Sequence, residues 1–185
     1  SEEELEKLLQ DKLDACGVDY FDFYLMHAQN RNNFETFKKC HAYEFAFRKK
    51  QEGKVKHVGI SFHDTAEVLD KILTEHPEVE LVQLQINYID WESEAIQSRK
   101  CYEVARKHHK PIIIMEPVKG GSLAKLPEHI EAIFKKARPE ASIASWAVRY
   151  AASLPGVMMV LSGMSSLEQM QDNVETMADF RPFND

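Results

Sequence analysis

Asp19-Tyr20-Phe21-Asp22-Phe23-Tyr24-Leu25-Met26-His27 is the stretch that decides how the rest of the chain is read. It is rich in aromatic and long apolar side chains, has no Gly or Pro, and follows a helix that stops at Gly17. It therefore reads as a buried strand over Tyr20 to Met26. A strand this apolar has little reason to end in an imidazole unless the ring faces a polar space. In folds of parallel strands that space lies beyond the carboxyl ends of the strands. His27 is thus a candidate functional residue, although a lone histidine at a strand end is more often a structural hydrogen-bonding group.

Upstream, Ser1 with Glu4 makes a capping box, and Leu5, Leu8, Leu9 and Leu13 recur at helical spacing until Gly17. Downstream, the polar loop Gln29-Asn30-Arg31-Asn32-Asn33 leads into one aromatic-rich helix, about Phe34 to Gln51, closed by Gly53. Strand two covers Lys56 to Ser61, and a helix from about Thr65 to Glu75 leads past Pro77 to strand three, Leu81 to Asn87. A helix from about Ser93 to His109 precedes strand four, Pro111 to Met115, which exits through Glu116-Pro117-Val118-Lys119-Gly120-Gly121. Helices over about Pro127 to Ala137 and Ala141 to Ser153 come next. Strand five, Val157 to Leu161, is followed by a helix from about Ser166 to Met177. Strand and helix in strict alternation mean a parallel sheet covered by helices. Two architectures compete: an open doubly wound sheet, or part of an eight-stranded barrel. A full barrel takes about 250 residues, so in the barrel case the front of it precedes Ser1.

The composition excludes several classes of function. At 185 residues with 44% hydrophobic and 29% charged content, the chain has the makings of one soluble globular domain. A net charge of -7 and an isoelectric point near 5.6 argue against nucleic acid as the main partner. The one basic run, Arg106-Lys107-His108-His109-Lys110, closes a predicted helix, where cations complement the dipole. No apolar run approaches the roughly 18 residues of a membrane span, and the acidic start is unlike a signal peptide, so a cytoplasmic protein without a membrane partner is expected. Cys16, Cys40 and Cys101 lack any Cys-x-x-Cys spacing, which fits reduced thiols rather than disulfides or a metal site.

Polar groups gather at the same end of every strand: His27; Ser61, His63 and Asp64; Glu116 and Lys119; Ser162, Ser165 and Ser166. Gln83, Gln85 and Asn87 alternate along strand three and share a face, where they must line each other, water or a ligand. His63-Asp64 hints at a metal, but Asp64 or Thr65 is better explained as a helix N-cap. Glu116 could serve as the acid of a hydrolase, without an obvious second carboxylate. In Leu161-Ser162-Gly163-Met164-Ser165-Ser166-Leu167-Glu168-Gln169 a strand runs through Gly into a serine-rich turn that opens a helix, an arrangement suited to a phosphate. A plain capping box of Ser166 with Gln169 accounts for the same residues equally well.

Taken together, these pieces resemble the aldo-keto reductase family over about Leu5 to Met177. The resemblance is carried by Gly17-Val18-Asp19-Tyr20-Phe21-Asp22 leading to Leu25-Met26-His27; by Gly53-Lys54-Val55-Lys56-His57-Val58-Gly59-Ile60-Ser61; by Val82-Gln83-Leu84-Gln85-Ile86-Asn87-Tyr88; and by Leu161-Ser162-Gly163 running to Asp172-Asn173. The wording Ser61-Phe62-His63-Asp64 and Met115-Glu116-Pro117-Val118-Lys119-Gly120-Gly121 looks most like the bacterial and archaeal branch with a C-terminal 4Fe-4S, ferredoxin-like extension.

The resemblance implies an α/β fold, a partial (β/α)8 TIM barrel in which residues 1–185 supply strands four to eight as one incomplete domain. It implies an NADP- or NAD-dependent oxidoreductase acting on a small carbonyl or alcohol, with His27 orienting the substrate oxygen. The implied cofactor contacts are Ser61, Gln83, Met115, Glu116, Gly163, Ser165, Gln169 and Asn173, with no metal site in the chain. Phe62 stands where the family usually has Asn, Met115 where an aromatic residue commonly stacks on the nicotinamide, and Gln169 where many members place an Arg for the 2′-phosphate. The family's proton-donating Tyr, its Lys and its Asp belong ahead of Ser1, and any iron-sulfur cluster after Asp185. The segment alone is therefore expected to be inactive, with sticky edge strands. Two other readings are a non-catalytic nicotinamide-nucleotide-binding regulatory or scaffold module, and a barrel hydrolase using Glu116.

Overall fold

Strand and helix alternate through the computed structural model, which describes residues 2–178 and 180–183. Helix α1 (Glu2–Cys16) leads to β1 (Phe21–Gln29), then α2 (Phe34–Lys39), α3 (Ala42–Gln51) and β2 (Val55–Phe62). Next come α4 (Ala66–Glu75), β3 (Leu81–Gln85), α5 (Ser98–Lys107) and β4 (Ile112–Met115). Helices α6 (Glu128–Ala137) and α7 (Ile143–Ser153), strand β5 (Val157–Val160) and helix α8 (Leu167–Ala178) complete the described chain.

The strands pair in the order β1-β2-β3-β4-β5, and every pair is parallel. This order decides between the two competing architectures. A doubly wound sheet reverses its strand order at a switch point, whereas a barrel adds each strand beside the one before it. Here there is no reversal, so the sheet is an arc of barrel wall. Because parallel crossovers are right-handed, a run of unreversed crossovers carries the helices to one side.

The core lies between sheet and helices. Met26, Val58, Ile60, Val82, Leu84, Ile112 and Ile114 meet Ala46, Leu69, Ile72, Leu73, Ala105 and Ala151, all buried. Each large aliphatic side chain removed from water there contributes about 1.5–3 kcal/mol. On the inner side the wall is tight at Gly59. A Cβ at that position would lie 2.7 Å from Cγ and the carbonyl oxygen of Leu81 and 2.9 Å from Leu25.

Several sequence expectations are refined. Helix α1 ends as anticipated at Gly17, at φ +65°, with Val18 N–H donating to the Leu13 carbonyl at 3.1 Å. Only Leu9 and Leu13 of its leucines are fully buried, and Leu8 is exposed. The Ser1–Glu4 capping box lies outside the described residues. The single helix expected over Phe34 to Gln51 is two, broken at His41, whose φ is +54°. The break lets Phe34 from one piece and Tyr43 from the other reach the same pocket, in edge-to-face contact at 6.4 Å and both against His76. Helix α5 starts at Ser98 rather than Ser93. Gln97 turns to φ +56°, its side-chain oxygen accepts from Ala66 N–H at the start of α4, and Ser98 Oγ donates to the Gln85 carbonyl.

Both edges of the arc are apolar. Beside β1 an apolar groove of about 470 Å³ is lined by Leu5, Leu8, Phe21, Phe23 and Leu25 among others. Beyond β4, strand β5 and its exit leave Met158, Met159 and Leu161 exposed, and α8 exposes Leu167, Met170, Val174 and Met177. The lengths and charges of the described helices leave none long and apolar enough to cross a membrane.

Candidate active site at the strand ends

The exit of β1 departs from the expected strand end at His27. The strand continues to Gln29 through an irregularity between Met26 and Gln29, with Ala28 at φ +54°. The displaced N–H of Ala28 donates to Ser61 Oγ at 2.7 Å, which ties β1 to β2 at this point. His27 is consequently two residues inside the strand, yet its ring is exposed on the rim. Gln29, read from sequence as the start of a polar loop, is fully buried and accepts the Tyr43 O–H at 2.6 Å. The cause is tertiary: the Tyr43 ring lies 3.5 Å over His76 in the core, and its hydroxyl needs a partner there.

At the exit of β2, His63 N–H donates to the Gln29 carbonyl at 3.0 Å, which sets its ring beside the end of β1. Burial by its neighbours holds the His63 imidazole below its usual pKa, and the nearby His27 ring adds to this, while Glu116 opposes it. Both His27 and Glu116 therefore act electrostatically on one imidazole, across strands β1, β2 and β4. Thr65 occupies the N-cap position of α4 without a side-chain cap bond, while Asp64 accepts Thr65 N–H at 2.7 Å and chelates Arg31. The Arg31 guanidinium, with help from backbone N–H groups, holds the Asp64 carboxyl down at about 2. Among the described residues no group of three His, Cys, Asp or Glu is placed to hold a metal ion.

Strands β3 and β4 supply the centre of the rim. Register sets Ser61 beside Gln83 and Gln85 beside Met115. Gln83 Nε2 lies 3.2 Å from Met115 Sδ, a weak acceptor. The polar row of β3 has a partner that sequence reading missed, Asp90. Its carboxylate is buried and accepts from Gln85 Nε2 at 3.1 Å, from Asn87 Nδ2 at 2.9 Å and from Lys119 Nζ. Asn87 Nδ2 also donates to the Glu116 carbonyl at 3.2 Å, and Asn87 Oδ1 accepts from Asp90 N–H at 2.9 Å. Burial pushes the Asp90 carboxyl up, but the bonds from Lys119, Asn87 and Gln85 outweigh it and hold the group below the usual carboxylate range. This knot fastens the β4 exit loop, where Glu116, Lys119, Gly120 and Gly121 all have positive φ. The alternation of Gln85 and Asn87 announced a polar partner; Asp90 is a near neighbour in sequence, and the fold brings Lys119 to it from the β4 loop.

At the last rim segment, Ser162, Gly163, Gln169, Asp172 and Asn173 line one cavity of about 90 Å³ with Val118 and Gly121 from the β4 loop. Gln169 Oε1 accepts from Ser165 N–H at 2.7 Å, Ser166 Oγ accepts from Gln169 N–H at 3.3 Å, and Asn173 Nδ2 donates to Ser162 Oγ at 3.1 Å. Ser166 and Gln169 therefore pair as the expected capping box requires, with the return bond from Gln169 going to Ser165 N–H, in the same turn that borders the cavity.

Unreversed parallel strands with polar side chains converging on their carboxyl ends define a (β/α)-barrel protein, a fold that carries its active sites on that rim. The chain belongs to the aldo/keto reductase family, whose sequence model matches residues 1–185. Solved structures show the same fold. An aldo-keto reductase from Bacillus halodurans in its holo form superposes with a TM-score of 0.73 at 18% identity, over 100% of this chain and 64% of its own. An aldo/keto reductase from Klebsiella pneumoniae, in complex with NADP and acetate, gives 0.72 at 18% identity over 94% of this chain and 59% of its own. One from Brucella melitensis gives 0.73 at 21% identity over 98% and 64%. The chain thus spans about 64% of the length of the Bacillus and Brucella structures. No curated protein matches it.

Proposed function

We propose that residues 1–185 are the C-terminal portion, strands four to eight, of the barrel of a nicotinamide-dependent oxidoreductase that interconverts a small carbonyl and an alcohol. The observation that carries this reading is the common rim: His27, Ser61 and Gln83 lie within two residues of the carboxyl ends of β1, β2 and β3, Met115 ends β4, and Glu116 and Gly163 follow β4 and β5. A cytoplasmic setting fits the three free thiols, Cys16, Cys40 and Cys101.

The residues present suit a bound nicotinamide dinucleotide. Ser61 Oγ accepts from Ala28, so its own proton is available to donate, and the Gln83 amide has only a thioether to give up. These two hold the carboxamide. Met115 packs against the ring face, with Glu116 at the turn beyond it. A Cβ built at Gly163 would meet nothing within 4 Å, which leaves the backbone there open to a pyrophosphate. Ser165, Gln169 and Asn173 face the adenosine end.

When bound, the cofactor supplies the hydride. His27 orients the substrate oxygen by hydrogen bonding from the rim, and the Asp90 knot keeps the β4 loop in place beside it. The proton comes from outside residues 1–185. The tyrosines here support that assignment: Tyr43 donates to Gln29, Tyr102 donates to the Pro155 carbonyl, and Tyr20 precedes β1 at the end away from the rim. Burial raises the hydroxyl pKa of Tyr24, Tyr88 and Tyr150, that of Tyr150 to about 12.

The test is a titration of the full-length parent with reduced nicotinamide nucleotides, read by cofactor fluorescence, followed by carbonyl-dependent oxidation. Binding and turnover are expected, and His27→Ala should lower kcat/KM about 100-fold while leaving nucleotide affinity unchanged. Absence of nucleotide binding by the parent overturns the reading. Segment 1–185 alone should show no turnover, and a rate equal to the parent's would refute the assignment of the acid.

A further inference from the structure

We infer that Asn30 and Asn33 are positioning residues for His27: their side chains clamp the Ala28 peptide in a left-handed turn, and that turn sets the His27 ring on the rim. The inference rests on the reading that His27 orients the substrate oxygen, and it adds two side chains of the β1 exit loop to that role.

The turn is an extra residue in β1. Met26 pairs with Ile60 and Gln29 with Phe62, so three steps of β1 run against two of β2. In a regular strand residues 26 and 29 face opposite sides. Here both are buried on the helix side, Met26 in the core and Gln29 bonded to Tyr43 of α3, while His27 between them is exposed. Bulges of this kind re-aim a side chain and are frequent beside active sites. Ala28 takes up the irregularity at φ +54°, a conformation that a residue with a Cβ keeps only where its surroundings hold it. Three side chains hold it. Its N–H donates to Ser61 Oγ at 2.7 Å, and its carbonyl accepts both Asn30 Nδ2 and Asn33 Nδ2, each at 2.9 Å.

The amide oxygens of the same two asparagines close the loop on itself. Asn33 Oδ1 accepts from Asn30 N–H and Asn30 Oδ1 from Asn32 N–H, both at 2.9 Å. Between them Arg31 N–H donates to Asp64 Oδ2 at 2.7 Å, which fastens the loop to the exit of β2. Asn33 also stands at the N-cap of α2, where an asparagine ordinarily accepts from a backbone N–H of the first helical turn, yet it makes no such bond. Its amide turns back to residue 28 instead. The start of α2 thus goes without its side-chain cap, and the bulge beside His27 gains a donor.

The experiment measures kcat/KM for carbonyl reduction by the full-length parent in a double-mutant cycle of positions 33 and 27. Asn33→Ala is expected to lower kcat/KM about 10-fold, and Asn30→Ala by a smaller factor because Asn33 still holds the carbonyl. In a His27→Ala background Asn33→Ala should change the residual rate by less than about twofold, since a residue that acts through His27 has nothing left to position. Ala28→Gly, which takes positive φ without strain, should return the Asn33→Ala protein to within about threefold of wild type. If Asn33→Ala does not fold, Asn30→Ala takes its place in the cycle. The His27 ring resonances in NMR spectra read the same displacement without turnover: Asn33→Ala should shift them, and Ala28→Gly should return them. A wild-type kcat/KM in Asn33→Ala, or an equal fall with and without His27, overturns the inference and leaves the oxidoreductase reading intact. A parent without turnover overturns that reading; there, shifted His27 resonances in Asn33→Ala still support the clamp, and unshifted ones overturn it as well.

Discussion

Removing the Asp90 carboxylate should loosen the rim more than any other single polar change. In Asp90→Ala, Gln85 Nε2 and the fully buried Asn87 Nδ2 lose a charged acceptor, at bonds of 3.1 and 2.9 Å. Hydrogen bonds to a charged group are worth about 1.5–3 kcal/mol each. Asn87 keeps the Glu116 carbonyl, and the Lys119 side chain, 40% exposed, can turn to water, so its ion pair counts for no more than about 1 kcal/mol. Relief of the desolvated carboxylate offsets part of the loss. The net expectation is a destabilisation of about 2–4 kcal/mol, or a fall in Tm of roughly 5–15 °C for a protein of this size.

Asp90→Asn retains a carbonyl acceptor and should cost about half as much. The sign of the pH dependence follows from the depressed pKa of Asp90. Its contribution is present above the ordinary carboxylate pKa and is lost as pH falls through the lowered folded value, so the acid-side loss of stability should be shallower in Asp90→Asn. Urea unfolding of the full-length protein at neutral and acid pH, followed by circular dichroism, measures both effects. A change in Asp90→Ala below about 0.5 kcal/mol, the size of an ordinary surface substitution, would refute the reasoning.

Three further outcomes are expected. Arg31→Ala should let the Asp64 carboxyl rise from about 2 toward 3.8, measurable by NMR titration, and should remove the part of acid stability that the wild type loses between those values; an unmoved pKa would mean that Arg31 is not its cause. Gly59→Ala sets a methyl group 2.7 Å from the Leu81 backbone oxygen and should destabilise by about 1–3 kcal/mol, seen as a lower urea midpoint, whereas an unchanged midpoint would show that β2 and β3 can separate. Segment 1–185 alone, with the edges of β1 and β5 open and Met158, Met159 and Leu161 exposed, should associate with rising concentration in size-exclusion chromatography; a monomer at all concentrations would contradict this.

Much of the element list was legible because its signals are local. The apolar runs Tyr20 to Met26 and Pro111 to Met115, the leucine spacing before Gly17, and the glycine at the close of α3 act over a few residues, and the strands and helix ends fall near them. Polar residues at the strand exits were legible for the same reason, as was the family resemblance, which is a matter of ordered motifs. The break at His41 was not, because Phe34 and Tyr43 are pulled to a common pocket by His76, a residue more than thirty positions away. The extension of β1 to Gln29 depended in the same way on the hydroxyl of Tyr43.

By itself, then, the sequence determined that strands and helices alternate, that the sheet is parallel, and that hydrophilic side chains meet at one end of it. Only the tertiary structure decided that the strands lie in unreversed order as an arc of barrel wall, that His27, His63 and Glu116 share one neighbourhood, and that Lys119 is tied through Asp90 to the amides of Gln85 and Asn87. The physical reason is range. Backbone propensity and hydrophobic period act within a turn or a strand, whereas register, ion pairing and burial arise between residues about thirty positions apart in sequence that packing alone makes neighbours.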